Sequence, residues 1–148
     1  MCRTVLHTIF LYLHILSAIG SIGPLFALIP MLKKMEVTEE ADLSGFVQSF
    51  QYAINVIKHF GHVLVVSGIF LIILSGWTWT TSWIVLTIVG MMSSVFYLAR
   101  AFKPTLKTFG TTDFNKATFI ANLRKSTWLY IVILLIVLWL MVAKPNLW

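Results

Sequence analysis

Four long apolar stretches constrain the fold of this sequence more than any other feature. Each is close to the roughly 20 residues that a helix needs to cross a bilayer. Inside lipid every backbone polar group must be bonded internally, so spanning segments form helices or closed barrels. The stretches predict one all-α domain of residues 1–148, an up-and-down bundle of four transmembrane helices. Its predicted spans are approximately 5–32, 53–76, 83–102 and 128–142.

The composition agrees with a chain that is embedded in a membrane over its whole length. Hydrophobic residues make up 59% of the 148 residues and charged residues 11%, and the mean hydropathy is +0.91. Soluble domains have about 45–50% apolar and about 25% charged residues. Cys2 is the single cysteine, which excludes an internal disulfide and a thiol-pair redox centre. Any redox chemistry would therefore need a bound cofactor.

The basic residues are distributed unevenly between the two sides of the predicted bundle. In a multi-pass membrane protein, the net charge of +6 reflects the positive-inside rule rather than nucleic-acid binding. Two basic residues, Arg3 and Lys144, lie on one side. The other nine lie on the opposite side: Lys33, Lys34, Lys58, Arg100, Lys103, Lys107, Lys116, Arg124 and Lys125. We expect loops 33–52 and 103–127 to be cytoplasmic and both termini to be outside. We also expect no signal-peptide cleavage near Gly20, because the apolar run continues beyond it.

The segments at the edges of the spans carry further local signals. The uncharged, aromatic run 77–83 predicts a tight turn at the membrane surface. Residues 112–126 predict a capped helix that runs into the fourth span. The core of that span is aliphatic apart from Tyr130 and Trp139, which predicts a lipid-facing helix.

Two histidines, His14 and His62, lie within two different apolar spans. An ionisable side chain in a membrane is costly and is a functional candidate by default. With about 1.5 Å of rise per residue, their depths differ by about 6 Å, which helix tilt could absorb. As neutral imidazoles they could be the two axial ligands of a b-type heme iron. Lys58, Arg100 or Arg3 would then meet the heme propionates.

A polar stripe on the second helix contains Asn55, Lys58, His59 and His62 at helical spacing. Four polar residues on one face of a membrane helix line protein or water rather than lipid. No Asp or Glu lies within a predicted span, so a carboxylate-based proton or cation path has no support. A positive lining near the cytoplasmic surface would come from three residues: Lys58, Arg100 and Lys103.

These patterns leave several functions open. The leading hypothesis is non-covalent heme b binding with a redox or respiratory-chain-associated role. Alternatively, each histidine makes an interhelical hydrogen bond in a cofactor-free accessory or assembly subunit of a larger membrane complex. A third class is a small-solute or lipid carrier that uses the polar stripe, and a metal or quinone site is also open. The predicted partners are the lipid bilayer, another membrane protein or a second copy of this chain. No catalytic residue is predicted, and whether the protein is an enzyme is open.

Three short motifs carry a family resemblance: Leu13–Gly20 early in the first span, Leu74–Trp77 at the end of the second, and Leu140–Pro145 at the end of the fourth. Together they resemble the bacterial predicted integral membrane proteins of domain of unknown function 2269. This resemblance covers most of the chain and implies a bacterial inner-membrane protein. It implies no mechanism, because that family has no settled activity.

The position of His14 in the first span carries a more distant resemblance. It is similar to the copper-resistance D family and to the HemJ-type protoporphyrinogen oxidases, which bind heme. The second similarity implies a heme-site role for His14. That group also uses a lysine in a later span, whereas the third span here has no lysine before Lys103.

Overall fold

The structure, a computed structural model, describes residues 2–148, with side chains from Arg3 onward. Its elements are α1 (Cys2–Val37), a short 3₁₀ turn (Glu40–Asp42), α2 (Leu43–Ser75), α3 (Ser82–Lys107) and α4 (Lys116–Ala143). All four α-helices are long and apolar enough to cross a membrane. The described part of the chain has no strand, so the predicted all-α membrane bundle is confirmed.

The helices extend beyond the apolar stretches that predicted them. The first turns of α2 bury Leu43, Val47 and Phe50, which recur at the spacing of one helical face. The first turns of α4 likewise bury Phe119 and Leu123. These turns are amphipathic rather than uniformly apolar, so hydropathy alone places the helix starts too late.

Local backbone chemistry explains where the helices begin and end. Asn115 caps α4, because its side-chain oxygen accepts a hydrogen bond from the backbone N–H of Thr118 at 3.0 Å. The predicted capped helix running into the fourth span is therefore confirmed, with its start at Lys116. α2 ends at Gly76, whose φ of 77° is left-handed and favours glycine. The turn that follows joins α2 to α3 as predicted.

The helices do not all pack equally against one another. α1 packs along α2, α3 packs along α4, and α1 also contacts α4, whereas α2 and α3 touch only sparsely. Glycines allow two of the close approaches. A Cβ at Gly20 would lie 2.6 Å from the Phe60 ring, and a Cβ at Gly90 would lie 2.7 Å from Val137. The result is a bundle with one open seam, between α2 and α3.

α4 is more central than its sequence indicates. It buries eight residues, among them Thr127, Tyr130 and Leu134, and it packs against both α3 and α1. The helix that was predicted to face lipid therefore has a buried face in addition to an exposed one, on which Leu135 and Trp139 lie. The aliphatic sequence of α4 does not indicate which face is buried, because in lipid the inner and outer faces of a helix can be equally apolar.

The two ends of the bundle differ in chemistry. At the end that we call the basic end, the Lys116 ammonium donates to the carbonyls of Glu36 (2.9 Å) and Thr38. Arg124 also pairs with the Glu36 carboxylate there at 2.6 Å. These contacts join the start of α4 to the end of α1.

The opposite end, which we call the aromatic end, contains the α2–α3 turn, the start of α1 and the C-terminus. Residues 144–148 form a C-terminal strap over the start of α3. The Ser82 hydroxyl donates to the Pro145 carbonyl at 2.8 Å and accepts from the Leu147 N–H at 3.0 Å. The Trp148 indole donates to the Thr80 carbonyl at 3.0 Å. The strap therefore fixes the C-terminus against the α2–α3 turn.

Candidate functional site

A cleft of about 220 Å³ lies between α2 and α3, with α4 as its floor. We call it the α2–α3 cleft. Seven of its lining side chains are polar: Gln51, Asn55, Lys58, His62, Ser94, Lys103 and Tyr130. The remaining lining residues are mainly apolar, including Leu64, Met91, Leu98 and Leu134. The sparse contact between α2 and α3 is therefore the place where polar membrane residues collect.

Polarity changes along the length of the α2–α3 cleft. On α3 the lining runs from Met91 to Leu106, and Lys103 lies about 18 Å along the helix from Met91. On α2 it runs from Leu64 through His62 and Lys58 toward the basic end. The cleft is thus cationic toward the basic end and mainly apolar toward the middle of the bundle.

Aromatic side chains fix the floor of the cleft. Tyr130 of α4 is 4% exposed and stacks on Tyr97 of α3 with ring centroids 6.3 Å apart. Phe102 meets Tyr130 edge-on at 6.3 Å and Phe50 of α2 at 5.9 Å. Such aromatic pairs hold their rings in defined orientations, so these contacts connect three of the helices around the cleft.

His14 of α1 does not line the cleft, and its ring contacts α2. Its ring Nδ1 is 3.1 Å from the Leu64 carbonyl oxygen and 3.0 Å from the Ser67 hydroxyl. A carbonyl only accepts, so the contact with Leu64 requires the proton on Nδ1. The ring is also close to Gly68, where a Cβ would lie 3.2 Å from its Cε1 atom. His14 therefore makes an interhelical hydrogen bond in the space that Gly68 leaves.

The two histidines of the sequence-based pair have different surroundings. His62 is exposed and lines the α2–α3 cleft, whereas His14 contacts α2 at Leu64 and Ser67. The described residues contain no group of three or more His, Cys, Asp or Glu side chains that could hold a metal ion. The structure thus places His62 in the same cleft lining as Lys58 and His14 in contact with α2. Coordination of one iron by both histidines stays a prediction.

The other predicted site residues divide between the cleft and the outer surface. Lys103 lines the cleft together with Lys58, as the sequence predicted for a positive lining. Arg100 does not line the cleft, and its guanidinium lies 4.1 Å from the centre of the Phe96 ring. His59, the fourth member of the polar stripe, is exposed and likewise does not line the cleft.

Three polar lining residues were not predicted from the sequence: Gln51, Ser94 and Tyr130. Gln51 lies just outside the predicted second span. Tyr130 stood out as a polar exception in an aliphatic helix, and that exception was the available signal. Ser94 lies beside Ser93, and the sequence alone gave no reason to prefer one over the other.

A second hollow, of about 270 Å³, lies where α3 connects to α4. Its lining includes Thr105, Thr108, Asp113 and Asn122. It contains none of the predicted site residues, and it has no cationic lining residue among those described.

The chain was compared with protein-family models, curated proteins and solved structures, and none of them matches it.

Proposed function

We propose that this protein is a multi-pass membrane protein that binds an amphipathic molecule with a negatively charged group in the α2–α3 cleft. The observation that carries the proposal is the joint placement of Lys58 and Lys103 in a cavity whose other end is mainly apolar. Lys58 lies within the second predicted span (53–76), where a lysine is a functional candidate by default, and Lys103 lies just beyond the third. This is the carrier class among the functions that the sequence left open.

The proposed location is the inner membrane of a bacterium, with both termini outside. The unequal numbers of Lys and Arg on the two sides support this orientation. The motifs that resemble domain of unknown function 2269 support the same location and indicate no ligand. In this orientation the basic end faces the cytoplasm.

Thermal unfolding of the detergent-purified protein in the presence of oleate tests the proposal. Oleyl alcohol, which has the same hydrocarbon chain without the negative charge, is the uncharged comparison ligand. Oleate at 100 times its Kd should stabilise the protein by about 2.7 kcal/mol. Ala99→Trp, which fills the cleft lining, should abolish that stabilisation. Val89→Trp is the matched control, because Val89 is an exposed α3 residue outside the cleft. Equal stabilisation of both variants by oleate would contradict the proposal.

Heme b is the second candidate ligand, and one observation favours it. His62 and Lys58 line the same cleft, so an imidazole ligand and a cationic partner for a propionate are available together. His62 would hold the iron, while Lys58 and Lys103 would lie near the carboxylates of the porphyrin. A bound heme would supply reversible one-electron chemistry.

Absorption spectra of protein expressed with ample heme distinguish heme bound in the cleft from heme bound by both histidines. A Soret band that is lost in His62→Ala and retained in His14→Ala would support heme in the cleft. Loss in both variants would support the bis-histidine pair predicted from sequence. A featureless spectrum would remove heme and leave the amphiphile proposal intact.

A further inference from the structure

The α2–α3 cleft opens sideways, toward the surroundings of the bundle. On α2 its lining includes the exposed residues Asn55 and His62, and on α3 it includes Val95 and Ala99, which are also exposed. At these depths the surroundings of a transmembrane bundle are lipid. The turn after Gly76 joins the two helices at the aromatic end only. A molecule in the membrane can therefore reach the cleft between α2 and α3 without crossing water.

The two lysines of the cleft lie at the depth of lipid headgroups. Lys58 is 17 residues from the end of α2 at Ser75, and Lys103 is 21 residues from the start of α3 at Ser82. These separations correspond to about 26 Å and about 32 Å along the helices. The hydrocarbon core of a bilayer is about 30 Å thick. Both ammonium groups therefore lie near the membrane surface at the basic end, where phosphates are.

No anion of the described chain neutralises these two lysines. The single ion pair among the described residues joins Arg124 to Glu36, and neither Lys58 nor Lys103 makes a side-chain hydrogen bond there. Both lysine side chains are exposed, so an anion from outside the chain can reach their ammonium groups. An anion there would favour the charged form of both lysines.

The apolar part of the cleft matches one leaflet in length. From Lys103 to Met91 the lining extends about 18 Å along α3, and one leaflet contributes about 15 Å of hydrocarbon. Leu98 and Leu134 lie along this path. A chain that starts at the lysines can follow the cleft toward the bilayer centre.

We infer that the occupant is an anionic glycerophospholipid of the leaflet at the basic end. Its phosphate contacts Lys58 and Lys103, and one acyl chain lies between α2 and α3. This inference rests on the proposed function and names the ligand class of the same site. It also assigns a route of entry, which is lateral diffusion from that leaflet.

Native mass spectrometry of delipidated protein tests the inference with two lipids of matched acyl chains, phosphatidylglycerol and phosphatidylcholine. One phosphatidylglycerol should bind per chain at saturation, at least tenfold more tightly than phosphatidylcholine. The double variant Lys58→Met/Lys103→Met should lose this preference, and Lys58→Arg/Lys103→Arg should retain it, because arginine also binds phosphate. Lys107→Met is the matched control, since Lys107 is exposed on α3 and does not line the cleft. Helical content by circular dichroism verifies that each variant is folded.

The outcomes separate this inference from the proposed function. Equal binding of the two lipids, or equal effects of Lys107→Met and the double methionine variant, would overturn it. If Ala99→Trp blocks oleate but leaves phosphatidylglycerol binding unchanged, the proposed cleft function stands and the phospholipid inference falls. If Ala99→Trp affects neither ligand, both fall.

Discussion

Gly20→Ala should destabilise the α1–α2 packing, whereas Gly61→Ala, in the interior of α2, should not. A Cβ at Gly20 would lie 2.6–2.7 Å from three atoms of the Phe60 ring, while a Cβ at Gly61 meets nothing within 4 Å outside its own chain neighbours. Phe60 must therefore move, and its ring, which is 38% exposed, has room on the outer side of the bundle. That movement uncovers the α1 surface on which the ring packs.

The matched pair isolates the steric cost. Overpacking of a close contact costs about 1–3 kcal/mol, and the helix propensity gained by replacing glycine, up to about 1 kcal/mol, is common to both variants. The difference between the two free energies of unfolding is therefore expected to be about 1–3 kcal/mol, with Gly20→Ala less stable.

Reversible unfolding in mixed micelles, followed by circular dichroism, measures these free energies. In a Phe60→Ala background the difference between the two alanine variants should shrink toward zero, because the clashing ring is absent. Equal effects of Gly20→Ala and Gly61→Ala in the wild-type background would refute the packing that the structure shows.

Three further variants test individual contacts. His14→Ala should lower stability by about 0.5–2 kcal/mol, the range of interhelical hydrogen bonds in membranes, and the exposed His59 should tolerate alanine without change; equal effects would argue against the α1–α2 bond. Lys116→Met should accelerate hydrogen exchange at the end of α1, whose carbonyls Lys116 caps, and Lys107→Met should not; unchanged exchange in Lys116→Met would contradict the cap. Ser82→Ala should make the C-terminal strap sensitive to carboxypeptidase, because Ser82 makes two of its hydrogen bonds; a strap as resistant as in wild type would show that other contacts hold it.

Much of the fold could be predicted because the membrane imposes it. Helix number and connectivity follow from apolar length, and the turn after Gly76 follows from a short aromatic segment. The buried face of α4 could not be predicted in the same way. Residues such as Tyr130 and Leu134 point inward, but their helix is apolar on every side, so hydropathy carries no information about its rotation.

In the candidate site, likewise, the depth of a residue in the membrane could be predicted from the sequence, whereas the rotation of its helix could not. Asn55, Lys58 and His62 were predicted to share a face of α2, and they line one cleft. Depth alone made His14 and His62 a plausible pair, because rise per residue fixes how far each lies in the membrane. The bonding of His14 to Leu64 and Ser67 depends on helix rotation and on the gap at Gly68. Neither can be derived from spacing along one chain.

The most direct test of the α2–α3 cleft is photo-crosslinking in native membranes with benzoylphenylalanine placed at Val95 or at Phe96. Val95 lines the cleft, and its neighbour Phe96 is 58% exposed outside it and reports the bulk lipid. Mass spectrometry of the adducts should show an anionic amphiphile enriched at Val95 relative to Phe96, with the enrichment lost in Lys58→Met/Lys103→Met. Adducts of the same composition at both positions would contradict the account, because the cleft would then hold nothing that the surrounding bilayer does not.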